Sequence, residues 1–133
     1  MNKSVFKSLI LVLLPFFVVT GCQFVTKGKE SLTHYCPGLK LNISGISYAY
    51  SNGKAFYVIN YDPSFQQAVK SYFEEKENGF TEIKDADFYN IKMDDEPVID
   101  KSDNFLGKRF KDPKGSTEVI FNETTRRIII IED

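Results

Sequence analysis

The residues able to do chemistry fall in two places. His34 is the single histidine, so any Ser-His-acid or Cys-His device must recruit it. In an extended strand, His34-Tyr35-Cys36 would put imidazole and thiol on one side. That pair supplies zinc with two ligands and no second cluster to complete four. A mobile segment also cannot hold nucleophile and base in attack geometry. The second place is acidic. Glu82, Asp85, Asp87, Asp94, Asp95, Glu96, Asp100 and Asp103 are eight acids against three lysines between residues 82 and 103. An EF-hand loop counted from Asp100 lacks glycine at its sixth position and has Lys111 where the bidentate acid belongs. The run reads as a solvated acidic face. Within it, Asp94, Asp95, Glu96, Asp100 and Asp103 are the candidate partner-binding residues, suited to plugging a basic active site. Two carboxylates about 5–9.5 Å apart in a cleft would instead make a hydrolase. Gly53-Lys54 is no P-loop, because no glycine stands five places earlier. No catalytic residue, metal ligand or cofactor is assigned.

The first 22 residues say where the protein works. Lys3 and Lys7 precede an apolar stretch from Leu9 to Val19, and small residues then lead into Cys22. A basic start, short apolar centre and small-residue exit make a secretory signal peptide. The run is too short to span a ~30 Å hydrocarbon core, and Pro15 interrupts it. Val19-Thr20-Gly21-Cys22 resembles the lipobox of bacterial lipoproteins. The resemblance implies cleavage after Gly21, fatty acylation of the Cys22 sulfur, and Cys22 as the first mature residue. Ordinary cleavage after Gly21, leaving a plain thiol, is the competing reading. Gln23 in place of Asp after the cysteine implies the outer membrane, facing the periplasm, if the source is Gram-negative. The resemblance covers the leader only and carries no fold. Two or three acyl chains, at about 0.8 kcal/mol per buried methylene, hold a protein firmly where one chain would not.

Composition narrows the partners. The leader takes two of the 17 basic residues and none of the 18 acids, so the mature chain is mildly acidic. That is no footprint for nucleic acid, nor a polybasic membrane face. With Cys22 lipidated, Cys36 has no intramolecular partner and reads as a buried small hydrophobe or a reduced bystander. From Lys108 to Arg127 six basic residues face three acids, which makes a dipolar surface unless the acidic middle neutralises it.

The elements that must position these groups follow. Gln23 to Pro37 shows no period and reads as a tether, spanning roughly 20 Å on average and about 50 Å at full stretch. Asn52-Gly53 between alternating runs predicts a hairpin. A type I′ turn there pairs Tyr50 with Ala55, Tyr48 with Tyr57 and Ile46 with Ile59, and this face is expected to meet the core. Leu39, Leu41 and Ile43 add a strand or lengthen the first. Asp62, Pro63 and Gly79 bound a helix over Pro63 to Asn78, with Phe65, Ala68, Val69, Tyr72 and Phe73 on one apolar stripe. Strands are expected at Tyr89–Met93, Phe105–Phe110, Thr117–Phe121 and Arg127–Glu132. Ile128 to Ile131, apolar on both faces, suits a central strand.

The expected organisation is a signal peptide at 1–21, a lipidated cysteine and tether at 22–37, and one domain at 38–133. The domain is α+β: a mostly antiparallel sheet of four to six strands with one amphipathic helix packed on one face. The function expected is a non-enzymatic binding or accessory lipoprotein of the cell envelope. It meets the membrane through its anchor and has an envelope protein as partner. An inhibitor or immunity protein against an envelope-attacking enzyme is the sharper variant, and a carboxylate-dependent hydrolase the enzymatic one.

Overall fold

The chain reverses between Ser51 and Lys54, which pair across a two-residue turn with Gly53 at φ 77°. Glycine reaches that left-handed conformation without a steric cost. The structure, a computed structural model, describes residues 23–51, 53–83, 92–93, 96–97, 100 and 102–133. The hairpin strands are β1 (Ile43–Ser51) and β2 (Lys54–Tyr61). Their register is Ile46 to Ile59, Tyr48 to Tyr57 and Tyr50 to Ala55, as the alternation predicts. Residues 39–42 form no strand; Ile43 opens β1.

Asp62 ends β2 and starts the helical segment by accepting a 3.0 Å bond from the Ser64 amide. That bond holds its carboxyl below the usual carboxylate range. A 3-10 turn at Pro63–Phe65 leads into helix α2 (Gln66–Glu74), followed by a second 3-10 turn at Lys76–Asn78 and left-handed Gly79. Val69 and Phe73 are buried, Phe65 and Tyr72 pack at the margin, and Ala68 is exposed. The buried stripe is therefore narrower than the spacing suggests.

Three further strands form a meander: β6 (Phe105–Asp112), β7 (Gly115–Asn122) and β8 (Arg127–Glu132). A short β3 (Thr81–Glu82) joins one edge. Two pieces outside the main sheet, β4 (Lys92–Met93) and β5 (Glu96–Pro97), pair with each other. The main sheet is wholly antiparallel, in the order β1-β2-β8-β7-β6-β3. Because β8 lies between β2 and β7, Ile128 to Ile131 are covered on both faces, at 0 to 3 % exposure. This is the α+β class expected.

Residues 23–35 are helical, and this helix (α1) corrects the tether reading. Its inward residues are Phe24, Gly28, Leu32 and Tyr35, one stripe over about three turns. Phe24 stacks on Tyr48 with centroids 3.9 Å apart. Gly28 lies against Ile46 and Tyr57. Leu32 and the following Cys36 are buried. Ser31 Oγ donates to Glu132 Oε1 at 2.9 Å, and the Tyr35 hydroxyl bonds Thr117 Oγ1 at 3.0 Å. Helix α1 thus crosses the sheet from β1 to β7, at the end carrying the β1–β2 turn. Helix α2 lies beside it toward the other end, where Phe73 stacks on Phe121 at 4.7 Å. Tyr72 donates to the Pro37 carbonyl at 3.0 Å and links the two helical segments.

Both helices cover one face, over Tyr57, Ile59, Val119, Phe121, Ile128 and Ile130. The opposite face holds a second cluster of Phe56, Val58, Phe105, Ile120, Ile129 and Ile131, with Ala49 and Ile83 against it. The hairpin face of Ile46, Tyr48, Tyr57 and Ile59 meets the helix-covered core as expected, and β2 also buries Phe56 and Val58 on its other face. The leader, Cys22, Tyr89, Ile91, Asp94 and Asp95 lie outside the described residues.

Candidate functional site

The sheet end away from the β1–β2 turn carries a cleft of about 710 Å³, a size that suits a small ligand or a few side chains of a partner. It is lined by Glu74 from the end of α2, Glu82 and Ile83 from β3 and beyond, and Ser102, Asp103 and Asn104 before β6. Phe105 and Leu106 of β6, Phe121 of β7 and Glu123 of the following turn complete it. The lining combines four carboxylates with apolar side chains. Among the described residues no basic side chain lines it.

Hydrogen bonds at the part-buried and exposed margin of the cleft fix the loops. Asn122 is fully buried. Its Nδ2 donates to Asp103 Oδ2 at 2.8 Å, and its Oδ1 accepts from the Thr125 amide at 3.2 Å. The Asn104 amide donates to Thr124 Oγ1 at 2.9 Å, and the Glu123 amide to the Asn104 carbonyl at 3.0 Å. The segment before β6 and the turn after β7 are thereby clamped together. Asp100 Oδ1 accepts from both the amide and hydroxyl of Ser102, each at 3.0 Å. These two bonds hold the Asp100 carboxyl below its ordinary range.

Lys70 of α2 stands beside the cleft, 2.9 Å from Glu123 and 3.8 Å from Glu74. The Glu123 bond and charge, then Glu74, push its ammonium up from its usual value. Glu82 is exposed on β3. Among the described residues no three His, Cys, Asp or Glu side chains converge on one cation position. The cleft thus sets the carboxylates of Glu82 and Asp103 beside apolar side chains, with those of Glu123 and Glu74 facing the Lys70 ammonium.

The acids expected from the sequence to bind a partner divide. Asp103 lines the cleft, while the Asp100 carboxylate is engaged in its own turn. Glu96 is described only in its backbone, and Asp94 and Asp95 lie outside the described residues. Glu74 and Glu123 carry no signal in the linear sequence: one sits on the polar face of α2, the other in a turn, and only the fold brings them to Asp103.

The chain matches no protein-family model, no curated protein and no solved structure.

The other candidate pair is separated by burial. His34 is exposed on α1, its ring edge-on to Tyr35 at 4.7 Å. Cys36 is 1 % exposed, and burial, partly offset by Lys108, pushes its thiol up to about 12. A thiol so held is neutral and unreactive at neutral pH. Several cations between Lys108 and Arg127 are engaged locally. Arg109 pairs with Glu118 at 2.9 Å, Lys108 Nζ donates to the Asn78 carbonyl at 3.0 Å, and Arg127 Nε donates to Asn60 Oδ1 at 3.2 Å.

Proposed function

We propose that this chain is a lipid-anchored protein of the bacterial cell envelope that binds another envelope protein without catalysing a reaction. The observation that carries the reading is Val19-Thr20-Gly21-Cys22 closing a basic and apolar leader. The acidic cleft gives the partner its chemistry: a protein presenting lysine or arginine above an apolar patch. An inhibitor or immunity protein that occludes a basic active site is the specific form this takes. The partner residues are Glu82 and Asp103, with Glu74 and Glu123.

Two measurements test it. Mass spectrometry of the mature amino terminus is expected to find acyl chains on Cys22; an unmodified thiol or an intact leader overturns the anchor. Full-length protein is expected to bind and inhibit an envelope-attacking enzyme with a basic active site. Glu74→Lys with Glu82→Lys is expected to abolish both while thermal unfolding is unchanged. Equal inhibition by the variant removes the cleft from the reading. The carboxylates also favour a second reading, a hydrolase of envelope polymers, for which turnover would be lost in Asp103→Asn.

A further inference from the structure

Two large apolar side chains are exposed among the described residues, Tyr50 at 68 % and Val25 at 37 %. Both belong to one corner of the molecule. Val25 is in the first turn of α1, beside Phe24, which stacks on Tyr48. Tyr50 lies two residues beyond Tyr48 on the same face of β1, about 7 Å further along the strand. Helix α1 also begins here, and Gln23 is already helical. Cys22 directly precedes this helix in the sequence, so acyl chains on Cys22 would draw this corner toward the bilayer.

We propose that, resting on the lipoprotein reading, the corner formed by Phe24, Val25, Tyr48 and Tyr50 seats in the headgroup layer of the anchoring membrane. Tyrosine suits that layer, with an apolar ring and a polar tip that stays wet. The acidic cleft lies at the opposite end of the strands, on the β6 side, and so faces away from the membrane. Its carboxylates are thereby kept clear of anionic headgroups and presented to proteins arriving from the aqueous side.

The chain contains no tryptophan, so a single introduced indole reports its own position. Full-length Tyr50→Trp and Thr125→Trp proteins, the second in the turn beside the cleft, are reconstituted in phosphatidylethanolamine–phosphatidylglycerol vesicles. Part of the phospholipid carries bromine high on the acyl chain. Mass spectrometry of each preparation reports acylation. Tyr50→Trp is expected to lose about two-fold in emission to bromine and shift to the blue, as for a side chain in the interface. Thr125→Trp is expected to be unchanged. Acylated protein with unquenched Tyr50→Trp emission overturns the seating alone, as does a blue shift without quenching, the sign of a protein neighbour. Equal quenching at both positions overturns the orientation. An unmodified Cys22 overturns the lipoprotein reading and this one with it.

Discussion

Gly28 of α1 lies directly on Ile46 of β1: a Cβ atom added at Gly28 would stand 3.1 Å from both Cδ1 and Cγ2 of Ile46. The absent side chain is what lets the helix approach the sheet this closely. Gly28→Leu is therefore expected to lift α1 and to cost about 1–3 kcal/mol, as overpacking does. Gly28→Ala sets a helix-propensity gain of about 1 kcal/mol against a small shift of Ile46. Urea unfolding of the two variants checks the order, with Gly28→Leu the less stable.

The central strand sets the scale of stability. Ile129 is fully buried in the cluster on the face away from the helices. Ile129→Ala is expected to cost about 2–5 kcal/mol. Tyr50→Ala, at the exposed corner, is expected to fall within about 0.5 kcal/mol of the parent. Denaturant midpoints of the protein in detergent would separate them.

Asp103 holds the cleft together through Asn122. Asp103→Ala leaves the buried Nδ2 of Asn122 without the acceptor it now uses, at an expected cost of about 1–3 kcal/mol. Asp103→Asn keeps an acceptor oxygen and is expected to lose less. Hydrogen exchange at the amides of Asn104 and Thr125 should accelerate in the alanine variant first.

Stability is expected to decline in strong base. Burial raises the Cys36 thiol from 9.0 to about 12, and burial first raises the Tyr57 and Tyr61 phenols from 10.0 to about 12. Between those values the unfolded chain has released protons that the folded chain retains. The contribution is thus full below about pH 9 and is lost as pH rises toward 12. Urea midpoints across that range should fall, and Cys36→Ala should delay the onset toward pH 10.

Much of the sheet was legible because two-residue periodicity is a local signal. The β1–β2 register follows from Asn52-Gly53, and the place of β8 from four consecutive isoleucines. Helix α1 was not, for a physical reason. Its inward stripe spends one position on Gly28, whose value is a close approach to Ile46 rather than apolar surface. Val25, Thr26 and Thr33 add β-branched residues that weaken local helix preference. Ile46, Tyr48, Tyr57, Thr117 and Glu132, distant in sequence, supply contacts that make the helix worth forming. The cleft was half legible: Glu82 and Asp103 stand in a visible acidic run, whereas Glu74 and Glu123 join them through tertiary packing.

The placing of β8 has a temporal consequence. Within the main sheet the β1–β2 hairpin and the β6–β7 pair are joined through Arg127–Glu132, whose pairings with β2 link residues roughly seventy positions apart. A chain synthesised from its amino terminus therefore cannot close its sheet until that strand has been made. During the delay β2 and β7 each lack the partner between them, and once the isoleucines are made the flanking Arg126, Arg127, Glu132 and Asp133 restrain their self-association. The same arrangement leaves the polypeptide open through most of its synthesis and lets one strand commit it to its final shape.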